Sequence, residues 1–190
     1  MQRLVAFLRA INVGGHTVKM GELRGLFEAL GFTRVETFIA SGNVIFASSS
    51  KNVGTLRRRI ENRLRASLGY EVATFIRTDA EVAAIAAYKP FTASQLRSAA
   101  ALNIGFLAES LGAEARKTLA ALKTEIDAFH VHGREVYWLC KKKQSESTFS
   151  NAVFEKRLKR RATWRGANTV ARLAAKYAHS PGTSVEEPAS

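Results

Sequence analysis

The sequence lacks several features that would assign it to a familiar class of protein. It has a single cysteine, Cys140, so no disulfide can form within the chain. No apolar stretch approaches the roughly 18 to 20 residues that a membrane-spanning helix needs. The short apolar run at 4–8, between Arg3 and Arg9, fits a secretory signal peptide poorly. These features predict a protein of the reducing cytoplasm with no membrane partner, and they leave its oligomeric state open.

Familiar catalytic and metal-binding patterns are also missing. The histidines are not spaced with carboxylates as metal ligands usually are, although His130 and His132 would share one face of a strand. Cys140 ends an apolar strand, where a packed thiol is more common than a nucleophile. No Ser-His-Asp arrangement and no pair of carboxylates can be argued from spacing. The sequence therefore predicts neither catalytic residues nor a metal site, and it leaves any cofactor unknown.

Positive charge is the one extreme feature that is present. Lysine and arginine number 29 against 16 aspartate and glutamate residues, which gives a net charge of +13. Residues 141–176 alone hold 11 basic and 2 acidic side chains. Such a field favours polyanionic partners such as nucleic acid, or phosphorylated ligands. A basic genome composition would produce the same excess, so charge alone does not establish a binding function.

Hydrophobic periodicity predicts the same order of elements twice, in a half at 1–89 and a half at 98–180, followed by a flexible tail at 181–190. For the first half the pattern predicts strands at 3–9, 34–40, 43–47 and 72–77 and helices at 19–30, 52–68 and 78–88. For the second half it predicts strands at 101–107, 124–130, 134–139 and 161–164 and helices at 112–122, 149–159 and 167–178. The residues from 89 to 98 form the connector.

This element order favours a particular fold. A β-α-β-β-α-β unit gives a four-stranded antiparallel sheet with both helices on one face, the ferredoxin-like plait. We therefore predict an α+β protein of two tandem ferredoxin-like halves with antiparallel sheets and extra helices. Strands 3–9, 101–107 and 134–139 are apolar on both faces, so the halves or their extra helices should cover each other. That covering disfavours an RNA reader, which needs a bare sheet with stacking aromatics.

The first loop and the hairpin turn form the candidate ligand site. A glycine pair at 14–15, ahead of a helix, lets backbone N–H groups approach an anion, and the helix N-terminus adds positive potential. The turn at 41–43 offers further polar groups. Each segment also has a purely structural interpretation, as a tight loop and as a hairpin turn. The plait is expected to place them at opposite ends of neighbouring strands, unless the loop at 10–18 folds back. The predicted ligand-binding residues are Arg9, Asn12, Gly14, Gly15, His16, Lys19, Ser41, Gly42 and Asn43.

Two other functions stay open. The basic segment at 141–176 favours nucleic-acid binding with little sequence preference, through contacts to phosphates. The arginines at 57–65 are more typical of a solvated helix face. The other open function is an enzyme acting on a nucleotide or a phosphorylated metabolite, with His16 as the candidate proton carrier. The residues predicted to contact nucleic acid are Lys141, Lys142, Lys143, Lys159, Arg160, Arg161 and Arg165.

Four motifs taken together resemble a known family. They are FLRAINVGGH at 7–16, KMGELRGLFEALGF at 19–32, TFIASGNVIF at 37–46 and ATWRGANTV at 162–170. They resemble the bacterial family called domain of unknown function 1697 (DUF 1697), over nearly the whole chain. The last motif departs from the family's usual Arg-Asn-Trp-Asn-Thr run, since Gly166 and Ala167 replace the first Asn and the Trp. The resemblance implies a pair of ferredoxin-like halves and no settled activity.

Overall fold

The structure is a computed structural model that describes residues 1–12, 15–39 and 42–178. Three parts of the sequence-based predictions lie outside the described residues. They are the predicted site residues Gly14 and Ser41 and the predicted tail at 181–190.

The N-terminal half is a four-stranded antiparallel sheet with two helices on one face. Its elements are β1 (Gln2–Leu8), α1 (Met20–Glu28), β2 (Thr33–Thr37), β3 (Asn43–Ser48), α2 (Val53–Leu68), β4 (Thr74–Thr78) and α3 (Asp79–Ala87). The strand order is β2-β3-β1-β4. Helix α2 buries Leu56, Ile60 and Leu64 at the predicted helical spacing. It begins after Asn52, whose side chain accepts a backbone N–H of the first turn, and it ends at Gly69 with a φ of 81°.

The C-terminal half repeats this arrangement. A short helix, α4 (Ala93–Arg97), lies in the connector, and the half continues with β5 (Ala101–Phe106), α5 (Ala113–Ala120), β6 (Asp127–His132), β7 (Glu135–Cys140), α6 (Asn151–Leu158), β8 (Thr163–Gly166) and α7 (Ala167–Ala178). The strand order is β6-β7-β5-β8, which matches that of the first sheet. The prediction of an α+β protein with two tandem ferredoxin-like halves is confirmed.

Two local predictions differ from the structure. Strand β6 begins at Asp127 rather than at 124, because the Thr124 hydroxyl bonds the Asp127 carboxylate and accepts the Asp127 N–H, which makes a turn of 124–126. The connector contains helix α4 because Thr92 and Gln95 form a reciprocal capping box there.

The open faces of the two sheets pack against each other, as the sequence predicted. The Phe7 ring from β1 and the Phe106 ring from β5 stack at 3.9 Å between centroids. Val82 of α3 and Leu173 of α7 belong to the same buried cluster. Each sheet therefore has its own helices on one face and the other half on the second face. None of the described helices is long and apolar enough to cross a membrane.

Each half also places one buried arginine into the other half. Arg77, which is paired with Val5 in the β1–β4 ladder, reaches the second half. Its Nε donates to Glu135 Oε1 at 2.6 Å, and its Nη2 donates to the Leu107 carbonyl at 2.8 Å. Burial lowers the pKa of Arg77, and the Glu135 carboxylate opposes that shift.

Arg165 makes the reverse connection. It is paired with Ile104 in the β5–β8 ladder, and its Nε donates to Asn43 Oδ1 at 2.6 Å. Its Nη2 donates to the Leu8 carbonyl at 3.0 Å. The two halves are thus related by an approximate twofold axis, with Arg77 and Arg165 in matching positions.

Candidate functional site

The loop after β1 and the turn before β3 lie at the same end of the first sheet. Phe7 pairs with Asn43, and the Leu8 N–H donates to the Gly42 carbonyl at 2.8 Å. The expectation that these segments lie at opposite ends is wrong. Because β1 and β3 run antiparallel, the end of β1 lies beside the beginning of β3.

The described part of the first loop has contacts within the loop and with Tyr70. Asn12 Oδ1 accepts the Val18 N–H at 2.9 Å, and the His16 ring stacks on Tyr70 at 4.4 Å between centroids. Gly15 has a φ of +82°, which favours glycine. Lys19 is exposed and stands at the N-cap of α1 without a side-chain capping bond. His16, Gly15 and Lys19 are all exposed at this end of the sheet.

Gly42 and Asn43 are buried instead. Gly42 has a φ of +72°, and a Cβ on it would lie 2.8 Å from the Cγ2 atom of Ile11. Asn43 donates to the Phe38 carbonyl at 2.9 Å and accepts from Arg165. These two residues hold the turn against the β1 loop and against the second half.

Arg9 is neutralised by the second half. Its Nε and Nη2 atoms each donate to one oxygen of Glu155 at 2.7 Å, in a bidentate pair. Glu155 Oε1 also accepts the Ala162 N–H at 3.1 Å. We call this set of three residues the closed corner. Glu155 therefore offsets the positive charge that Arg9 would present to a ligand.

The approximate twofold axis relates the closed corner to a matching corner beside α2 and the beginning of β4. There the Thr74 N–H donates to Glu61 Oε1 at 2.9 Å, as the Ala162 N–H does in the closed corner. The residue after Leu107 is Ala108, which takes the position that Arg9 has after β1. Alanine has no guanidinium to place beside the carboxylate, so this second corner stays open.

The open corner forms a cleft of about 380 Å³ between the halves. We call it the interhalf cleft. Its lining consists of Arg57 and Glu61 from α2, residues 73–75 at the beginning of β4, residues 107–109 after β5, and Arg160 and Arg161 before β8. Three arginines and two carboxylates therefore surround a partly apolar space.

The arginines of the cleft are weakly neutralised. Arg57 Nε is buried and has no hydrogen-bond partner among the described residues. Arg160 donates to the Lys159 carbonyl at 3.2 Å. Arg161 Nη2 lies 3.4 Å from a carboxylate oxygen of Glu71, and both of these side chains are more than half exposed. Such exposed pairs contribute little to stability, and the three arginines still outnumber the two carboxylates of the cleft.

The residues predicted to contact nucleic acid do not form one patch. The lysines at 141–143 follow Cys140, which pairs with Ala101 at the beginning of β5. The basic residues at 159–161 precede Thr163, which pairs with Phe106 at the end of β5. The length of a six-residue strand separates the two groups, about 20 Å.

Arg165 lies buried between the two halves, unlike the other residues predicted to contact nucleic acid. It is 8% exposed, and its guanidinium donates to neutral oxygens that include the Leu8 and Gly42 carbonyls. Burial lowers the pKa of Arg165 to about 10. The side chain holds the two halves together and is not available to phosphates outside.

Sequence reasoning missed the cleft because its walls are distant in sequence. From sequence alone, the cluster that contains Arg57 is typical of a solvated helix face, and Arg160 and Arg161 are predicted to contact nucleic acid. The available signal was the duplication, which aligns Arg9 with Ala108 once the strands are matched.

Within the described ranges, no three His, Cys, Asp or Glu side chains gather closely enough to hold a metal ion. Burial raises the pKa of the Cys140 thiol, which disfavours its thiolate.

Comparison with known proteins supports the fold and gives the family. The conserved bacterial protein SP0830 from Streptococcus pneumoniae has a solved structure that matches with a TM-score of 0.74 and 23% sequence identity. The match covers 92% of this chain and 97% of that chain, and it shows a shared fold. No curated protein matches the chain significantly. The family model described as protein of unknown function (DUF1697) matches residues 1–137, and the chain therefore belongs to this family.

Proposed function

We propose that the protein binds an anionic, phosphate-bearing ligand in the interhalf cleft. The observation that carries this proposal is the buried Arg57 Nε, which has no hydrogen-bond partner within the described ranges and belongs to a cleft that Arg160 and Arg161 also line. A buried polar atom without a hydrogen bond costs about 1–3 kcal/mol. A phosphate oxygen in the cleft would draw the Arg57 guanidinium into a bonded position and offset that cost.

The cleft has the dimensions and chemistry of a small-molecule site. Its volume of about 380 Å³ falls in the usual range for ligand pockets, roughly 300–1,000 Å³. Guanidinium groups match phosphate oxygens because they present parallel N–H donors. Partial enclosure strengthens these contacts relative to open water.

The first loop is a second proposed location for the same class of ligand. Exposed His16 and Lys19, beside the uncapped N-terminus of α1, favour it. Glu155 neutralises Arg9, and Glu22 adds negative charge in the first helical turn. The cleft therefore has the stronger support.

Calorimetric titration with pyrophosphate tests the proposal. Wild type should bind, and Arg57→Gln should weaken binding at least tenfold because it removes a charged donor pair. Arg63→Gln is the matched control, since Arg63 is exposed on the same helix and outside the cleft. Equal pyrophosphate affinities for these two variants would contradict binding in the cleft. A loss confined to Lys19→Gln would move the site to the first loop.

Nucleic-acid binding is the alternative function, and the exposed lysines at 141–143 favour it. It predicts a gel shift that weakens steeply with salt, as counterion release requires. Replacing those lysines with glutamine should abolish the shift and leave pyrophosphate binding unchanged. The absence of a DNA or RNA gel shift at low salt would contradict this alternative.

A further inference from the structure

We propose that the phosphate-bearing ligand of the interhalf cleft is a guanine nucleotide, a proposal that rests on the function proposed above. The argument starts from the two corners. They share a carboxylate that accepts a strand N–H, and they differ in whether a guanidinium sits beside that carboxylate. The contacts of Glu155 in the closed corner therefore indicate which donor groups Glu61 can accept in the open corner.

In the closed corner, Glu155 receives two parallel N–H groups from Arg9, each at 2.7 Å. In the open corner, Glu61 has the same backbone bond from Thr74 and no side-chain donor among the described residues. A ligand that completes the pattern must present two parallel N–H groups on a planar edge. Guanine presents this edge through its N1–H and 2-amino groups.

The charges of the cleft support a ligand of mixed character. Glu61 and Glu109 line the cleft together with the three arginines. A simple anion would be attracted by the arginines and repelled by the carboxylates. A guanine nucleotide satisfies both, because its base edge donates to Glu61 while its phosphate accepts from the arginines.

The apolar part of the lining suits a planar base. Phe75 and Leu107 contribute apolar surface, and the single methyl group of Ala108 leaves free the volume that an arginine would fill. Adenine presents one amino group beside a ring acceptor, and hypoxanthine lacks the 2-amino group. Neither base can donate two parallel N–H groups to one carboxylate.

Titration of the protein with GMP, IMP, AMP and pyrophosphate tests this inference. Wild type should bind GMP at least tenfold more tightly than IMP or AMP. Glu61→Gln keeps an oxygen for the Thr74 N–H but puts an amide donor opposite the guanine edge. It should reduce GMP binding to the level of AMP without weakening pyrophosphate binding. Glu114→Gln is the matched control, because Glu114 is an exposed carboxylate outside the cleft, and this variant should keep the preference for GMP.

A second variant provides an independent check. Ala108→Arg should place a guanidinium beside Glu61, exclude GMP and still bind pyrophosphate. Equal affinity for GMP and AMP in wild type, or unchanged GMP binding in Glu61→Gln, would overturn the guanine assignment. Pyrophosphate binding that persists in those cases would leave the proposed function standing. A wild-type protein that does not bind pyrophosphate would instead contradict the proposed function itself.

Discussion

The closed corner and the interhalf cleft occupy matching positions at the interface between the two halves, yet one is filled and the other is open. The closed corner is completed by Arg9, whereas its counterpart Ala108 leaves about 380 Å³ beside Glu61. The backbone bonds to Glu61 and Glu155 are the same. The exchange of Arg9 for Ala108 is thus one difference between a structural ion pair and a candidate binding site.

The two buried arginines show a similar difference. Arg77 has a carboxylate partner in Glu135, whereas Arg165 donates to the neutral Asn43 side chain and to carbonyls. Both arginines lie at the interface between the halves and are nearly inaccessible. The fold therefore tolerates a buried guanidinium with or without a counterion, provided that its N–H groups have acceptors.

The largest expected effect comes from removing the counterion of Arg77. Glu135→Ala leaves a buried positive charge without its partner, which should lower the free energy of unfolding by about 3–5 kcal/mol. Glu135→Gln, which imitates the neutral acceptor of Arg165, should cost less. Urea unfolding of the two variants measures both effects. Equal losses would show that a neutral acceptor cannot replace the carboxylate.

Breaking the closed corner should have the next largest effect. Arg9→Ala removes two charge-assisted hydrogen bonds from Glu155, and we expect a loss of about 1.5–3 kcal/mol in the free energy of unfolding. Urea unfolding measures it. The control is Arg24→Ala, which breaks an exposed pair with Glu28 and should cost less than about 0.5 kcal/mol. Similar losses in the two variants would contradict the structural role of Arg9.

Filling the open corner should stabilise the protein slightly. Ala108→Arg imitates Arg9, and a new pair with Glu61 should add up to about 1 kcal/mol to the free energy of unfolding. Thermal unfolding of Ala108→Arg with and without Glu61→Gln measures the coupling between the two residues. No coupling would mean that the corners are not equivalent.

The smallest effect concerns a pair of matching contacts at the sheet edges. Glu36 of β2 contacts Lys176, and the Glu36 carboxylate raises the pKa of Lys176. In the second half, the His130 ring lies 2.8 Å from the Tyr88 hydroxyl. Burial, and then repulsion by neighbouring positive charges, lower the pKa of His130 below its usual 6.5.

Only the second of these contacts titrates near neutral pH. Because unfolded His130 binds a proton more tightly than folded His130, its contribution to stability is present above pH 6.5 and is lost as the pH falls through the folded pKa. The free energy of unfolding should therefore fall between pH 7 and pH 5. Urea unfolding of wild type and His130→Gln should show a flatter pH profile in the variant. Parallel profiles would contradict a role for His130.

Local patterns were sufficient to predict the fold. Strands with two apolar faces, such as the one with Phe7, predicted a covered sheet, and the helical spacing of Leu56, Ile60 and Leu64 predicted α2. Gly133, with a φ of 57°, lies in the turn that joins β6 and β7, at the predicted place. These signals are local because backbone geometry and side-chain periodicity act over a few residues.

The candidate site could be predicted only in part. Arg9 and Glu155 are 146 residues apart, so their pairing has no local signal. Nothing in the sequence around Arg77 or Arg165 indicates burial, because arginine is usually exposed. The cleft exists because Ala108 lacks the guanidinium that Arg9 has at the matching position. That difference becomes visible only when the two halves are superposed.

A crystal structure determined in the presence of tungstate, a heavy analogue of phosphate, tests most directly the central claim that the interhalf cleft binds phosphate groups. We predict tungstate density in the interhalf cleft, with tungstate oxygens that accept hydrogen bonds from Arg57 and from Arg160 or Arg161. Tungsten bound only at the first loop near Lys19, or an empty cleft at saturating tungstate, would contradict the account.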